Sequence, residues 1–286
     1  MEEAIKKADV LIEALSYLQK FHKKVIVVKY GGSGVEDEQI RSRVLEDIVF
    51  LHTAGTLPVL VHGGGPSITK RMQQRGMKIS FVEGLRATDL KTVKIVDEVL
   101  SELNAKIVRE IQSLGAKAQG VLSRKSKVIL AIKKKIGKKS LGYTGDVKSV
   151  NVAPIKKVFK IGAIPVVSPV AIGKDKKLYN INADEVAAAL ACALGAEKLI
   201  LLTNVRGIMT DRHNDENSIL STLDTAGARH LVKRNVIDSG MIPKVNAAIS
   251  ALTHGVKKVH IIDWRVPHSI LLEIFTQKGV GTEIVK

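Results

Sequence analysis

The chain is poor in cysteine and in aromatic residues, and it has no long apolar run. Its single cysteine, Cys192, rules out an intramolecular disulfide. That residue lies in the alanine-rich stretch AAALACALGA, where a small buried thiol is expected and a reactive one is not. Four tyrosines, five phenylalanines and one tryptophan in 286 residues leave few platforms for stacking nucleobases. No apolar stretch reaches the roughly 20 residues that cross a bilayer. The amino terminus, MEEAIKKADVLIEAL, is acidic from its second residue and lacks an uninterrupted apolar centre, unlike a secretory signal. The expectation is a cytoplasmic protein with no membrane partner.

Several catalytic signatures are missing as well. The G-x-x-x-x-G-K-[ST] spacing of a Walker A loop is absent, and no G-x-G-x-x-G opens the first strand–helix unit. The latter weighs against a nucleotide-dependent oxidoreductase. There is no G-x-S-x-G elbow, and the eight histidines are scattered without metal-ligand spacing, so no metal site is expected.

Basic residues are plentiful: 45 Lys and Arg against 28 Asp and Glu give a net charge of +17. Lysine runs such as Lys133–Lys135 followed by Lys138 and Lys139 invite a nucleic-acid reading. The lysines are spread along the whole chain, however, and no helix-turn-helix, zinc-finger or RNP signature accompanies them. A solvated basic surface that attracts small polyanions is the expectation, with no nucleic-acid partner.

Residues 2–21 carry apolar positions at helical spacing (Val10, Leu11, Ala14, Leu15, Leu18, Phe21) and predict a helix preceding the main fold. Strands and helices alternate from residue 25. Val25–Tyr30 and Pro58–His62 are continuous β-branched runs that stop at Gly31-Gly32 and Gly63-Gly64-Gly65. A helix follows to about Arg75, and another spans Leu90–Leu114. Residues 116–148 read as a β-hairpin region. Ile164–Val170 and Lys198–Thr203 are buried strands with the helix Ala183–Leu194 between them. Met241–Gly255 is a helix, then come the strand Lys258–Asp263 and a closing strand near Gly281–Val285. Strands apolar on both faces and joined by helices predict an open, mainly parallel sheet sandwiched by helices.

Ligands of such sheets bind beyond the carboxyl ends of the strands, where both glycine clusters lie. Glycine allows a close backbone approach, and a helix start offers unpaired N–H groups to an anion. Lys29 ends the first strand, and Lys244 follows Pro243 at a helix start, where a cation makes sense only beside an anion. Two ammonium groups converging from opposite lobes would stabilise phosphoryl transfer; ordinary surface lysines are the alternative. Asp184, in Asn180–Asp184, is either a helix-start acid or the carboxylate that holds both lysines. Arg86 is either a carboxylate clamp or half of a surface salt bridge with Asp89. Thr203–Gly207 forms another loop at the sheet edge, suited to a nucleotide.

Taken together, these segments resemble the acetylglutamate kinase family of the amino-acid kinase fold. The resemblance runs from about Val25 to Val285. It is carried by Lys29-Tyr30-Gly31-Gly32, Val61–Pro66, Gly84-Leu85-Arg86 with Thr88-Asp89, Gly145-Asp146-Val147, Asn180–Asp184, Met241–Val245 and His260–Asp263. It implies that Lys29, Lys244, Asp184 and Gly32 carry the chemistry, and that Gly64, Gly65, Arg86 and Asn180 hold N-acetyl-L-glutamate. It implies ATP with Mg2+ near Thr203, Asn204, Gly207 and Lys244. It also implies an N-lobe over 25–177 that binds acetylglutamate and a C-lobe over 178–286 that binds ATP, on one continuous sheet.

Residues 1–24 and the tail resemble the arginine-inhibited branch of that family. There the helix interlaces dimers into a hexamer, a trimer of dimers, and Tyr17, His268, Glu273 and Gly281 would form a site for L-arginine. The chain departs from the family pattern at Ser33-Gly34, at Ser123–Lys127, at Asn204 and at Trp264. The second bears on a hairpin near the substrate, Asn204 on nucleotide contacts, and Trp264 on the approach to the arginine site. Two other readings remain: a kinase for glutamate, aspartate or a carbamate, and a non-catalytic arginine-sensing or nucleic-acid-binding protein on the same fold.

Overall fold

The computed structural model describes residues 1–136, 139–210, 218–237, 240–276 and 279–286. Lys138 of the lysine run, and Gln277-Lys278 within the tail, lie outside the described residues. The chain opens with α1 (Glu2–Phe21), β1 (Val25–Tyr30), a 3-10 turn (Gly32–Val35), α2 (Glu38–Thr53), β2 (Leu57–His62) and α3 (Gly65–Gln74). The two-residue strands β3 (Phe81–Val82) and β4 (Leu85–Arg86) lead into α4 (Leu90–Ser113), β5 (Ala118–Val121), the helical turn α5 (Ser123–Ser126), β6 (Ile129–Ile136) and β7 (Lys139–Val150). Next come α6 (Ala153–Lys160), β8 (Ile164–Val167), β9 (Val170–Gly173), β10 (Leu178–Ile181) and α7 (Ala183–Leu194). The chain closes with β11 (Lys198–Thr203), β12 (Thr222–Asp224), α8 (Thr225–Lys233), α9 (Ile242–Thr253), β13 (Lys258–Asp263), α10 (Ser269–Phe275) and β14 (Thr282–Val285).

Eight strands form the main sheet in the order β12-β14-β13-β11-β1-β2-β8-β5. The six from β13 to β5 are parallel, and β14 runs against β13. The expected mainly parallel sheet is therefore present. Alternation along its strands explains the two layers. Val27, Val59, Val61, Leu199 and Leu201 face α7 and α9, whereas Ile26, Val28, Leu60, Ile200 and Leu202 face α2, α4 and α10. Burying both faces of a central strand is what makes its sequence continuously apolar.

Four features differ from the sequence expectation. Helix α2 fills the connection after the first glycine loop; Asp37 caps it by accepting from Ile40 N at 3.0 Å. Residues 116–148 are not one hairpin region, because β5 pairs in parallel with β8 at the edge of the main sheet. The run Ile164–Val170 breaks at Ser168-Pro169, where proline removes a donor from the ladder. Beyond the break, β9 and β10 join β6 and β7 in a small closed barrel, so the strands make a main sheet, a barrel and the two-stranded β3-β4 pair. Finally, Ser123–Lys127 forms a helical turn ending at left-handed Lys127, with Arg124 paired to Asp97 at 3.1 Å.

Candidate active site

The carboxyl ends of β2, β1 and β11, three neighbouring strands, bring the predicted residues together. Lys29 leaves β1 beneath Gly31, where an added Cβ would lie 3.1 Å from the Lys29 Nζ. Asp184 sits in the first turn of α7. The cap of that helix is Asn182, whose side chain accepts from the amides of Asp184 and Glu185 at 2.7 and 3.4 Å. Asn182 is thus the cap, and Asp184 is both a first-turn acid and the carboxylate between the two lysines. The Asp184 Oδ1 lies 2.8 Å from Lys29 Nζ, and its Oδ2 accepts from Lys244 Nζ at 3.4 Å. Lys244 reaches the carboxylate from the first turn of α9, next to Pro243.

One carboxylate thus holds two ammonium groups in a nearly dry setting. Burial alone would raise the Asp184 carboxyl, but Lys29 and Lys244 outweigh it and hold it below the ordinary range. Burial also pushes Lys244 down, the Lys29 ammonium adds to this, and Asp184 only partly restores it. With two positive charges and one negative, the cluster carries an excess positive charge toward which an anion is drawn.

The glycine loops sit around this cluster. Gly32, at φ +76°, starts the 3-10 turn in a conformation that L residues rarely adopt. Gly64 precedes α3 and packs so closely on Leu100 that a Cβ would come 2.5 Å from its Cδ2, whereas Gly65 faces open space. Arg86 is buried, and its guanidinium donates to Gly65 O at 3.1 Å and to Thr69 Oγ1 at 2.6 Å while lying over the Phe81 ring. The salt bridge with Asp89 does not form: Asp89 caps α4 by accepting from Thr92 N at 2.7 Å. No carboxylate among the described residues pairs with Arg86, and burial pushes its pKa down. Asn180 on β10 donates to Thr88 Oγ1 at 3.4 Å, and Thr88 and Thr144 both donate to Arg86 O, at 2.9 and 2.7 Å.

Thr203 ends β11, buried, with Asn204 exposed beside it. Gly207 lies farther along, against Thr282 and Ile219. Lys29, Gly32, Thr203, Asn204, Lys244 and Trp264 border one cavity of about 120 Å3. The indole of Trp264, a residue expected to bear on the approach to the arginine site, lies on Gly34 at the border of the lysine cavity. Among the described residues no group of three or more His, Cys, Asp or Glu side chains gathers in a way that could hold a metal.

The four residues of the expected arginine site lie around α10. Tyr17 packs edge-on against Phe275, with ring centroids 6.1 Å apart. His268, in a left-handed conformation, sets its Nδ1 2.7 Å from Asp47 Oδ1. Glu273 accepts from His260 Nδ1 at 2.6 Å and from Val280 N at 2.7 Å. Gly281 is pressed against Ile261 O, where a Cβ would come within 2.3 Å. Cys192 is half-buried, with burial raising its thiol.

Sequence reading missed three groups that fix this geometry. His62, fully buried, is driven down to a pKa of about 4 and is neutral. Its Nδ1 donates to Gly63 O at 2.9 Å, and its Nε2 accepts from Asn104 Nδ2 at 3.0 Å. Asn104 also donates to Val166 O at 2.9 Å. It is a lone amide among Leu100, Leu103, Ile107 and Ile111 on α4, and that break in the apolar stripe is a signal that could have found it. Lys134, read as part of a solvated run, is partly buried between Asp146 Oδ1 at 2.5 Å and Glu185 Oε1 at 2.8 Å.

The comparisons with known proteins bear on this geometry. The model of the amino acid kinase family matches residues 24–263. The acetylglutamate kinase of Desulforamulus reducens is 45% identical over 286 residues, covering 100% of this chain and 99% of that protein. The acetylglutamate kinase of Moorella thermoacetica is 46% identical over 290 residues, covering 98% of each chain. Among solved structures, the N-acetylglutamate synthase of Neisseria gonorrhoeae complexed with coenzyme A and N-acetyl-glutamate aligns with a TM-score of 0.87 at 23% identity. The alignment covers 98% of this chain and spans 63% of the synthase's length. The carbamate kinase of Giardia lamblia bound to AMP-PNP aligns with a TM-score of 0.67 at 16% identity, over 92% and 99% of the two chains. At those identities the two structures speak for the fold alone.

Proposed function

The chain belongs to the amino acid kinase family, among its acetylglutamate kinases, and from that premise we propose that it moves the γ-phosphoryl group of ATP onto the side-chain carboxylate of N-acetyl-L-glutamate. It is an enzyme, a kinase of amino-acid biosynthesis; the proposal names its substrates and the work of its residues. The observation that carries the reading is the single buried carboxylate of Asp184 holding both Lys29 and Lys244 at the carboxyl edge of the sheet.

In this reading a carboxylate oxygen of acetylglutamate attacks the γ-phosphorus in line. The new P–O bond forms as the bond to the ADP oxygen breaks, with no covalent enzyme intermediate. Lys29 and Lys244 neutralise the charge that spreads over the transferring oxygens, with the Gly32 turn beside them, and Asp184 orients both ammonium groups. Gly64, Gly65, Arg86 and Asn180 hold acetylglutamate, Arg86 by the α-carboxylate; that no carboxylate among the described residues pairs with it supports that role. Thr203, Asn204, Gly207 and Lys244 take the nucleotide, with magnesium arriving on the ATP phosphates as part of the substrate. Residues 25–177, joined by Asn180, then serve the acceptor, and the rest of 178–286 serves the donor.

Regulation by L-arginine and assembly into a hexamer extend the proposal. Helix α1 supports the second, because Val10, Leu11 and Ile12 are 64–70% exposed along it. Tyr17, His268, Glu273 and Gly281 would face the arginine. The N-acetylglutamate synthase of Neisseria gonorrhoeae has also been solved with coenzyme A and L-arginine, at a TM-score of 0.82. No helix among the described residues is long and apolar enough to cross a membrane, and we place the enzyme in the cytoplasm with its substrates. A coupled ADP-release assay over acetylglutamate, glutamate, aspartate and carbamate, with and without arginine, tests the whole. Turnover of acetylglutamate alone, reduced by arginine, is expected. Turnover of glutamate alone overturns the substrate. Unchanged rates with millimolar arginine, together with an unchanged mass on deleting residues 1–21, remove the regulatory part.

A further inference from the structure

The Gly32–Val35 turn is gripped from several sides by groups that the chemistry above does not use. The buried Tyr30 hydroxyl donates to Gly34 O. The Arg41 guanidinium, itself buried, donates to Val35 O at 2.8 Å and grips Glu110 with the rest of its fork, at 2.7 and 2.9 Å. Ser67, at the start of α3, donates to the Glu36 carboxylate at 2.5 Å. The remaining side is covered by an indole. A Cβ on Gly34 would meet Trp264 Cδ2 at 2.8 Å, Cε2 at 2.9 Å and Cε3 at 3.1 Å, so the ring occupies the volume a side chain would need.

Trp264 is held in that place by its own backbone. Its N–H donates to Thr203 O at 3.0 Å, which extends the β11–β13 pairing by one step. The next residue, Arg265, donates its backbone N–H to Asp263 Oδ1 at 2.8 Å and lays Nε and one terminal nitrogen on the buried Asp263 carboxylate, at 2.9 and 2.6 Å to Oδ2. A loop fixed at both neighbours presents the ring in one direction. That direction is toward the cavity bordered by Lys29, Gly32, Ser33 and Lys244.

We propose that Trp264 is a positioning residue for the phosphoryl donor: its indole, seated on Gly34, walls the lysine cavity and sets the shape of the Gly32–Val35 turn that meets the donor's phosphates. The inference rests on the reading that this cavity receives the phosphates of ATP. An aromatic wall excludes water beside the ammonium groups, and charges act more strongly on one another where water is excluded. Glycine at 34 and tryptophan at 264 are one packing unit, since the backbone at Gly34 is not in the left-handed region and an alanine there would strain nothing but the ring.

The protein contains one tryptophan, so fluorescence excited at the long-wavelength edge, where its four tyrosines do not absorb, reports on this wall. Titration of the full-length protein with MgADP is expected to give a saturable change in emission whose midpoint matches calorimetric binding. Gly34→Ala is expected to raise the KM for ATP about fivefold or more, with the KM for acetylglutamate held within about twofold. In the Trp264→Gly background the same alanine should add nothing, and Trp264→Phe should keep the KM for ATP close to that of the parent. Thermal unfolding of each variant separates these effects from loss of fold. Emission unmoved at MgADP concentrations that saturate the calorimetric signal overturns the inference while leaving the kinase reading intact. So does a Gly34→Ala defect that persists undiminished beside Trp264→Gly. No calorimetric binding of MgADP sinks the donor-site reading and this inference together.

Discussion

Gly63 donates its amide to the carbonyl of Tyr30 at 2.7 Å, so the two glycine loops meet at one point above the sheet. The contact is tighter than most Cβ atoms tolerate: a Cβ on Gly63 would stand 3.1 Å from Gly31 Cα. Gly63→Ala must therefore move backbone, at a cost of about 1–3 kcal/mol, and shift Lys29 with it. Gly65→Ala meets nothing within 4 Å. Urea unfolding should show a loss for the first and none for the second. A raised KM for acetylglutamate in Gly65→Ala would then come from contact with the substrate.

Lys29→Ala removes one of the two ammonium groups and leaves Asp184 with Lys244. Turnover is expected to fall about 100- to 1000-fold, as when a transition-state donor is deleted, with the melting temperature largely retained. An unchanged kcat would take Lys29 out of the mechanism.

Asp184→Asn leaves Lys29 and Lys244 facing one another without a counter-charge. Lys244 is already held down by burial and by Lys29, and loss of the carboxylate pushes it down further. Since the charged form is the useful one, the alkaline limb of the kcat profile should move to lower pH. A limb that stays in place would mean that Lys244 does not titrate in the reaction.

His62 bears on stability through its proton. Burial lowers its folded pKa to about 4, below the unfolded value, so the unfolded chain binds more protons between those limits. Its share of stability is full above pH 6.5 and is lost as pH falls toward 4, on the order of 3 kcal/mol. Asp47 acts oppositely: burial raises it to about 6, and its share is lost as pH rises from 3.8 through 6. Comparing the parent with His62→Leu isolates the histidine. The variant should be weaker at pH 7, because Gly63 O and Asn104 lose partners, and should lose less on acidification. Equal acid losses in both would refute the assignment.

Lys134→Met strips the ammonium from between Asp146 and Glu185, whose carboxyl burial already raises. The groups are partly exposed, so a loss of about 1–2 kcal/mol is expected. Lys134→Arg should recover most of it in thermal unfolding.

What could be read in advance followed from short-range chemistry. Val25–Tyr30 and Lys198–Thr203 announced themselves because a strand buried on both faces is apolar through its middle, with polar residues only near its ends. Gly31-Gly32 and Gly63–Gly65 stood out because residue type reports backbone freedom. The barrel did not, since β9 and β10 have four residues each and gain their identity only by closing on β6 and β7. The same holds for Lys134, which looks like its neighbours in the sequence and differs only by what lies across from it. The departures at positions 34 and 264 seemed unrelated at a separation of 230 residues, yet the two side-chain volumes exclude one another.

The parallel register has a further consequence. Lys29 stands opposite Val61 on β2 and Leu201 on β11, so three consecutive strands carry the Gly63–Gly65 loop, an ammonium and the Thr203–Gly207 loop. Adjacent strands lie about 4.8 Å apart. If phosphoryl transfer runs between these loops as proposed, its span is measured out by backbone hydrogen bonds, and a ladder of amides, unlike a set of side chains, cannot be retuned by substituting one residue.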